Sequence, residues 1–202
     1  MTPRPEARLI ACLEEAQSAG YLGPAPVGTH YEHALAHLEI VRRCAASELC
    51  DLGTGGGLPG LVLAVHLPEV RVTMVEAMHR RALLLRHAIE RLRLPNTVVY
   101  DGRAEALARS ALRESFDVVT ARAFAPPAVT AEIGAALLCS GGSLVVSDSP
   151  ARTPWPADQL GVLGLREAVP VTEAGYGFVI ARKDRPAEAK FPRRAPAKRP
   201  LW

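Results

Sequence analysis

The sequence predicts an α/β fold, a doubly wound and mainly parallel β-sheet preceded by a helical segment. From residue 48 onward, short β-branched or apolar stretches alternate with longer stretches of helical periodicity. Such alternation is typical of parallel βαβ units. A glycine-rich segment at 53–57 directly follows the first short stretch, as a strand-to-helix turn would. The length of 202 residues suits one domain, and 49% hydrophobic with 22% charged residues is ordinary for a folded chain.

The predicted elements follow in chain order. Apolar residues at helical spacing predict helices at 5–19 and 31–46, which form an N-terminal helical segment at 1–47. Within the predicted sheet domain at 48–182, strands are expected at 49–52, 70–76, 97–100, 116–121 and 143–147. Helices are expected between them at 58–67, 79–94, 104–114 and 127–138. The stretches 166–172 and 177–182 have no helix between them, which predicts an antiparallel pair that finishes the sheet. A basic, Pro-rich tail is expected at 183–202, and its end at 191–202 is expected to lack regular structure.

No targeting or membrane segment is predicted. The first twenty residues mix charged with apolar side chains and lack the apolar core of a signal peptide, and no stretch is long enough to cross a membrane. The cysteines lack CxxC spacing and have apolar neighbours, which predicts buried, reduced thiols: Cys12, Cys44, Cys50 and Cys139. His30, His33 and His37 have helix-compatible spacing, but a helix face near substrate or solvent explains them better than a metal site. We therefore expect a cytoplasmic protein without a metal, and we favour a monomer.

The net charge of +3 conceals an asymmetry. Residues 182–202 carry eight Lys or Arg against two acidic residues, so residues 1–181 have a net charge of −3. A basic terminus of this kind is either a solvated tail or a contact for nucleic acid, and charge alone leaves both open.

The glycine-rich segment is the strongest functional signal. In Asp51-Leu-Gly-Thr-Gly-Gly-Gly57, a buried strand runs into a turn that leads to a helix. Backbone N–H groups and the positive helix end then point toward a ligand, and glycines let that ligand come close. Gly53, Gly55, Gly57 and Gly60 also satisfy a dinucleotide fingerprint, so the loop alone does not identify the ligand.

Three surrounding features favour S-adenosylmethionine and a Rossmann-like class I methyltransferase fold. Asp51 precedes the first glycine by two residues and can accept a hydrogen bond from the amino group of the cofactor. Glu76 ends the next predicted strand and can accept from both ribose hydroxyls, while Ala104 and Glu105 follow the third strand, where adenine is usually held. Each feature has an alternative, since Asp51 could cap a turn, Glu76 a helix, and Glu105 could lie on a solvated face.

Four segments resemble the glucose-inhibited division protein B family of bacterial 16S ribosomal RNA guanine-N7 methyltransferases. They are Asp51-Leu-Gly-Thr-Gly-Gly-Gly-Leu-Pro-Gly60, Arg103-Ala-Glu105, Thr120-Ala-Arg-Ala-Phe124, and the tail pattern Phe191-Pro-Arg-Arg194 with Ala197-Lys-Arg-Pro-Leu201. The resemblance covers about residues 30–202. It implies methyl transfer from S-adenosylmethionine to N7 of a guanine in the 530 loop of small-subunit rRNA.

The resemblance also implies roles for particular residues. Arg122 would be the catalytic residue beside the target base or its phosphate, with a structural salt bridge as the alternative. The expected cofactor-binding residues are Asp51, Gly53, Thr54, Gly55, Gly57, Leu58, Glu76, Ala104, Glu105 and Arg122. The expected contacts to RNA phosphates are Arg193, Arg194, Lys198 and Arg199. Phe124 would either stack on a base or pack within a loop.

Three departures from the family pattern concern the substrate side. Asp148-Ser149 stands where the family has Lys-Gly, which reverses a charge near the expected active site. His33-Ala-Leu-Ala-His37 keeps the histidine of a His-x-x-Asp-Ser segment but lacks its aspartate, and no Asn-Leu-Thr segment is found near the N-terminus. Two alternatives therefore remain open: a divergent paralogue that methylates a small molecule or another RNA, and a non-catalytic S-adenosylmethionine-binding protein associated with the ribosome.

Overall fold

The computed structural model describes residues 5–148 and 155–202. Of the pair Asp148-Ser149, which stands where the family has Lys-Gly, Ser149 therefore lies outside the described residues. The helices are α1 Pro5–Ser18, α2 Val27–Arg42, α3 Gly60–His66, α4 His79–Leu92, α5 Ala104–Leu107, α6 Pro127–Leu137 and α7 Ala157–Val162. The strands are β1 Glu48–Leu52, β2 Arg71–Glu76, β3 Thr97–Asp101, β4 Phe116–Arg122, β5 Leu138–Ser147, β6 Val169–Glu173 and β7 Tyr176–Arg182. A 3₁₀ helix, Pro196–Lys198, lies in the tail.

The strands form one sheet in the order β3-β2-β1-β4-β5-β7-β6. β1 to β5 are parallel, and β7 pairs antiparallel with both β5 and β6, which confirms the predicted doubly wound sheet and its antiparallel ending. The chain moves outward from β1 to β3 and then returns to place β4 beside β1. The carboxyl ends of β1 and β4 therefore flank a topological switch point, where ligands of such sheets bind.

Two apolar cores cover the two faces of the sheet. Because strand side chains alternate, Leu49 and Val118 contribute to one core with α1 to α4, while Cys50 and Val119 contribute to the other with α5 to α7. The N-terminal helices thus pack on the same face as α3 and α4 and complete a three-layer structure. In the described part of the chain, no helix is long and apolar enough to cross a membrane.

The structure corrects several element boundaries. The helix expected at 104–114 ends at Leu107, because Ser110 Oγ donates to the Leu107 carbonyl (2.8 Å) and accepts from the Leu112 amide (3.1 Å), which replaces further helical bonds. α2 begins at Val27, after Pro26, rather than at 31. β5 begins at Leu138 rather than 143, and α7 has no counterpart in the sequence-based prediction.

The cysteines are free, as expected, although only Cys12 and Cys50 are buried and the other two are half-buried. The expected tail at 183–202 begins inside the core. The Lys183 side chain is fully buried, and its ammonium group donates to Glu114 Oε1 (2.7 Å) and to the carbonyls of Ala135 (2.6 Å) and Leu138 (2.7 Å). All three ammonium protons thus have acceptors, which is the condition for burying a lysine.

Candidate active site

The glycine-rich loop connects β1 to α3 with its backbone exposed to a cleft. Gly53 has φ +63°, and a Cβ on it would lie 2.5 Å from Cδ2 of Phe124, so no other residue fits there without movement. At Gly60, which begins α3, a Cβ would lie 2.8 Å from Oδ2 of Asp51. Both close approaches bring the loop backbone against neighbouring elements and leave its outer side free for a ligand.

Asp51 lies beneath this loop, fully buried. Its Oδ2 accepts a hydrogen bond from the Gly60 amide (2.9 Å), and its Oδ1 accepts from Thr120 Oγ1 (3.0 Å) on the adjacent strand β4. Burial raises the pKa of this carboxyl to about 6, although hydrogen bonds from Thr120 and Gly60 oppose the shift. The carboxylate thus holds the start of α3 against the sheet, and its expected contact with the cofactor's amino group stays a prediction.

Glu76 ends β2 and joins three parts of the site. It is 4% exposed, its Oε2 accepts from the Gly55 amide (3.0 Å), and its Oε1 accepts from the Met78 amide (2.7 Å) just before α4. The helix-capping alternative is not realised, because Met78 is the N-cap residue of α4 and Glu76 accepts from its amide. Each carboxylate oxygen keeps a second lone pair, so the same group can still accept from a ribose hydroxyl.

Two adjoining cavities of about 200 Å³ each open at this edge of the sheet. The first is lined by Tyr21, Leu22, Gly23, Gly53, Thr54, Gly55, Gly56, Leu58, Arg81, Arg122 and Ala123. The second is lined by Gly53, Val75, Glu76, Ala77, Arg81, Gly102, Ala104, Ala123 and Phe124. They share Gly53, Arg81 and Ala123 and together make one cleft, which we call the cofactor cleft. Two compartments joined at a glycine suit a ligand with an amino-acid half and a nucleoside half.

Most of the expected cofactor residues border this cleft, but three do not. Asp51 lies beneath the loop, and Gly57 is enclosed by Leu61 and Leu85. Glu105 is 7% exposed and accepts from Arg103 Nη2 (2.9 Å). These three residues support the walls of the cleft rather than lining it. The solvated-face alternative for Glu105 is wrong, since the residue is buried.

Arg122, the expected catalytic residue, ends β4 and borders the first cavity. It is half-buried and makes no ion pair with any described residue, so the salt-bridge alternative has no support in 5–148 or 155–202. Burial lowers the pKa of its guanidinium group, and the charge of Asp51 opposes that shift. The next residue, Ala123, has φ +52°, a strained conformation that is concentrated at functional sites in proteins.

A third cavity, of about 190 Å³, adjoins the cleft through Ala123 and Phe124 and lies between the ends of β4 and β5. Ser147 and Asp148, at the end of β5, also border it. Ser147 Oγ is hydrogen-bonded to His33 Nε2 (2.8 Å) from α2, and Asp148 Oδ2 accepts from Trp155 Nε1 (2.9 Å). Asp148, which stands where the family has a lysine, therefore borders the candidate active site.

Two histidines of α2, His33 and His37, pack against β5 and β7 as uncharged rings. His33 stacks on Tyr176 with ring centroids 4.3 Å apart, and the fully buried His37 meets Phe178 edge to face at 4.7 Å. Burial lowers the pKa of His33 to about 4 and that of His37 to about 3. No group of three or more potential metal ligands occurs among the residues that the structure describes.

The basic tail divides into a buried anchor and exposed cations. The amide, Nε and Nη2 of Arg193 all donate to Glu132, a fully buried carboxylate in α6. Arg194, Lys198 and Arg199 are exposed. The chain ends with Trp202 next to Trp155, ring centroids 6.4 Å apart, and Trp155 contacts Asp148 at the third cavity. The tail thus runs from its anchor on α6 to the edge of the candidate active site.

Sequence reasoning missed several residues of the cleft. Tyr21, Leu22 and Gly23, between α1 and α2, close the first cavity, and Arg81 of α4 borders both compartments. The segment between the two N-terminal helices is rich in Gly and Pro, which predicts a connection but not what that connection covers. Arg81 follows the predicted Glu76 by five residues, so a search for cations after the ribose-binding strand would have found it.

The switch-point cleft, the glycine loop and Glu76 define a class I S-adenosylmethionine-dependent methyltransferase domain. Solved methyltransferases share this fold: one from Geobacter sulfurreducens aligns with TM-score 0.65 at 12% identity, covering 92% of each chain. An O-methyltransferase from Bacillus cereus in complex with SAH aligns with TM-score 0.62 at 19% identity, covering 90% of this chain and 92% of that one.

The family model described as rRNA small subunit methyltransferase G, GidB, matches residues 26–149. The chain belongs to this family, which confirms the resemblance found in the sequence. A relative named Ribosomal RNA small subunit methyltransferase G from Rubrobacter xylanophilus is 40% identical over 174 residues, covering 78% of this chain and 66% of the relative. One from Syntrophomonas wolfei is 36% identical over 165 residues, covering 77% of both. The chain thus spans about two thirds to three quarters of the length of these relatives.

Proposed function

We propose that this protein transfers a methyl group from S-adenosylmethionine to N7 of a guanine in the 530 loop of 16S rRNA. The observation that carries the proposal is Arg122, a half-buried cation without an ion-pair partner in the described chain. It borders the first cavity of the cofactor cleft and directly precedes Ala123, through which the third cavity adjoins that cleft. The name of the family, rRNA small subunit methyltransferase G, supports small-subunit rRNA as the substrate. A ribosomal substrate supports the cytoplasm as the location of the protein.

The residues of the cleft fit S-adenosylmethionine. Gly53, Thr54, Gly55 and Leu58 line the compartment for its amino-acid half, and Glu76 and Ala104 line the compartment for its nucleoside half. The bound cofactor supplies a methyl group made electrophilic by the positive sulfonium. The carboxylate of Glu76 is held by two backbone amides, so it is already oriented to accept from ribose.

Methylation of guanine N7 requires orientation rather than proton transfer. The N7 lone pair lies in the base plane and carries no proton, so the site needs no general base. His33, whose lowered pKa of about 4 makes it a weak base, and Asp51, which is buried beneath the glycine loop, agree with that requirement. The task of Arg122 is to hold the base or its phosphate so that N7 lies in line with the methyl group.

The third cavity is the site we propose for the guanine. It opens between Phe124, which offers a ring for stacking, and Asp148, whose carboxylate oxygens can accept from the N1–H and N2–H₂ donors of guanine. Trp155 donates to one of these oxygens and orients the carboxylate. Asp148 in place of a lysine would thus read the Watson–Crick edge of the base, which must leave its stack to enter.

The exposed cations of the tail are the proposed contacts to RNA phosphates: Arg194, Lys198 and Arg199. Arg193 is not retained as a phosphate contact, because its guanidinium group is bound to Glu132. Its proposed task is to fasten the tail so that the neighbouring cations flank the third cavity.

The substrate is tested by incubating the protein with labelled S-adenosylmethionine and 30S subunits, bare 16S rRNA or a metabolite extract. We expect the label in the 530 loop of 16S rRNA. Label only in metabolites or in other RNA would identify a divergent paralogue and overturn the rRNA assignment. Cofactor binding without any transfer would favour a non-catalytic ribosome-associated protein.

The role of Arg122 is tested by Arg122→Ala. We expect loss of transfer with cofactor affinity nearly intact, as measured by calorimetric titration. Collapse of cofactor affinity would instead assign Arg122 to the cofactor alone. Arg182→Ala, an exposed arginine at the end of β7 on the opposite edge of the sheet, is the matched control and should leave both quantities unchanged.

A further inference from the structure

Arg81 is a second cation of the cofactor cleft, and the resemblance described above implies no role for it. It lies in the first turn of α4 and borders both compartments. Its guanidinium carbon lies 5.3 Å from the ring centroid of Tyr21, a cation–π distance. Its Nε is buried and has no hydrogen-bond partner among the described residues, and Arg81 forms no ion pair with them. A buried donor in a cleft without an acceptor from the protein is available to bind an acceptor atom of a ligand.

Tyr21 is held in place by its own segment. Its amide donates to the Ala16 carbonyl (2.9 Å) at the end of α1. Gln17 Nε2 donates to the carbonyls of Gly23 and Ala25, both at 2.7 Å, and so fixes the turn. Leu22 packs so closely on the glycine loop that a Cβ on Gly56 would lie 2.7 Å from Leu22 Cδ2. The backbone that carries Tyr21 is therefore held in place, and its ring lies where the guanidinium group can rest on it.

The chemistry of the cofactor identifies what Arg81 would bind. S-adenosylmethionine carries two cationic groups, the sulfonium and the ammonium, and one anionic group, the α-carboxylate. An unpaired guanidinium in the same cleft would repel the cations unless it meets the anion. A planar guanidinium group matches a carboxylate with two parallel hydrogen bonds.

We propose that Arg81, held against Tyr21, binds the α-carboxylate of S-adenosylmethionine. The Nε without a partner and one terminal nitrogen supply the two donors of such a pair. Arg122 is then left for the RNA. The inference concerns the cofactor alone, so it stands or falls independently of the rRNA substrate.

The test compares two ligands that differ only in the carboxylate. Calorimetric titration would measure the affinity of the intact protein and of Arg81→Met for S-adenosylmethionine and for its decarboxylated analogue. Methionine keeps an apolar side chain of similar reach against Tyr21. A charge-assisted pair contributes about 10- to 100-fold in affinity. We expect Arg81→Met to weaken S-adenosylmethionine binding by that factor and to leave the binding of the decarboxylated analogue within about twofold.

Controls separate this role from a structural one. Arg80→Met, an exposed neighbour in the same turn, should change neither affinity. Should Arg81→Met not fold, Arg81→Gln replaces it. The proposal is overturned if an Arg81 variant weakens both ligands equally, which would indicate a wall of the cleft, or if it weakens neither. It is also overturned if discrimination between the two ligands is lost in Arg122→Met instead.

Discussion

Replacing Arg193 with methionine should destabilise the fold, although this arginine lies in a basic tail. Its partner Glu132 is fully buried, with one carboxylate oxygen 2.7 Å from the Arg193 amide and 3.0 Å from its Nε, and the other 2.5 Å from its Nη2. Removing one member of a buried ion pair costs about 3–5 kcal/mol, because the remaining charge is left without compensation. The hydrogen bond from the backbone amide of residue 193 to Glu132 is kept in the variant, and the Arg193 side chain is 33% exposed. We therefore expect a loss at the lower end of that range, about 3 kcal/mol.

The assay is urea unfolding followed by circular dichroism. Arg194→Met is the matched control: this neighbour is exposed, so its loss should change the free energy of unfolding by less than about 0.5 kcal/mol. Adding Glu132→Gln to Arg193→Met removes the stranded charge and should recover at least half of the loss. If Arg193→Met costs no more than Arg194→Met, the pair does not anchor the tail and the account of the tail is wrong.

Three further predictions concern stability and RNA binding. Gly60→Ala should lower the free energy of unfolding by about 2 kcal/mol in urea, because its Cβ meets Asp51 and Met74 at 2.8 Å, whereas Gly161→Ala, with open space around it, should be neutral. The free energy of unfolding should fall as the pH drops from 6.5 toward 3, because His37 and His33 stay neutral in the folded chain while the same side chains bind protons in the unfolded chain. The raised pKa of Asp51 opposes this loss only between pH 3.8 and about 6. A free energy of unfolding that does not change from pH 7 to 4 would contradict the neutral state of the two histidines. Each exposed tail cation replaced by methionine should reduce the slope of log affinity for rRNA against log salt by about 1, and an unchanged slope would remove that side chain from the interface.

The parts of the site that are local in sequence could be predicted. The glycine loop and Glu76 each follow a strand that its β-branched or apolar residues reveal, and parallel strands bring their ends to one edge. The inward direction of Asp51 also follows from the strand pattern. Strand side chains alternate, and both Cys50 and Leu52 face the core on the other side of the sheet, so Asp51 has to face α3.

The parts that depend on distant pairing could not be predicted. Arg193 and Arg194 are adjacent residues of the same type, so the sequence does not distinguish them. Only the position of Glu132 in the fold decides which of the two turns inward. An acidic residue within the apolar helix α6 signals that some cation must reach it, but not which one. Likewise, Tyr21 and Arg81 meet only because α1 and α4 pack on the same face of the sheet.

Specific chemical cleavage of the RNA tests the central claim most directly. Methylation at N7 makes a guanosine uniquely sensitive to borohydride reduction followed by aniline, so the chain breaks at the modified nucleotide. After incubation of unmodified 30S subunits with the protein and S-adenosylmethionine, we predict one new break, at a guanine of the 530 loop in 16S rRNA, that is absent with Arg122→Ala. Transfer of label to 16S rRNA without any such break would place the methyl group on another atom and contradict the proposed reaction.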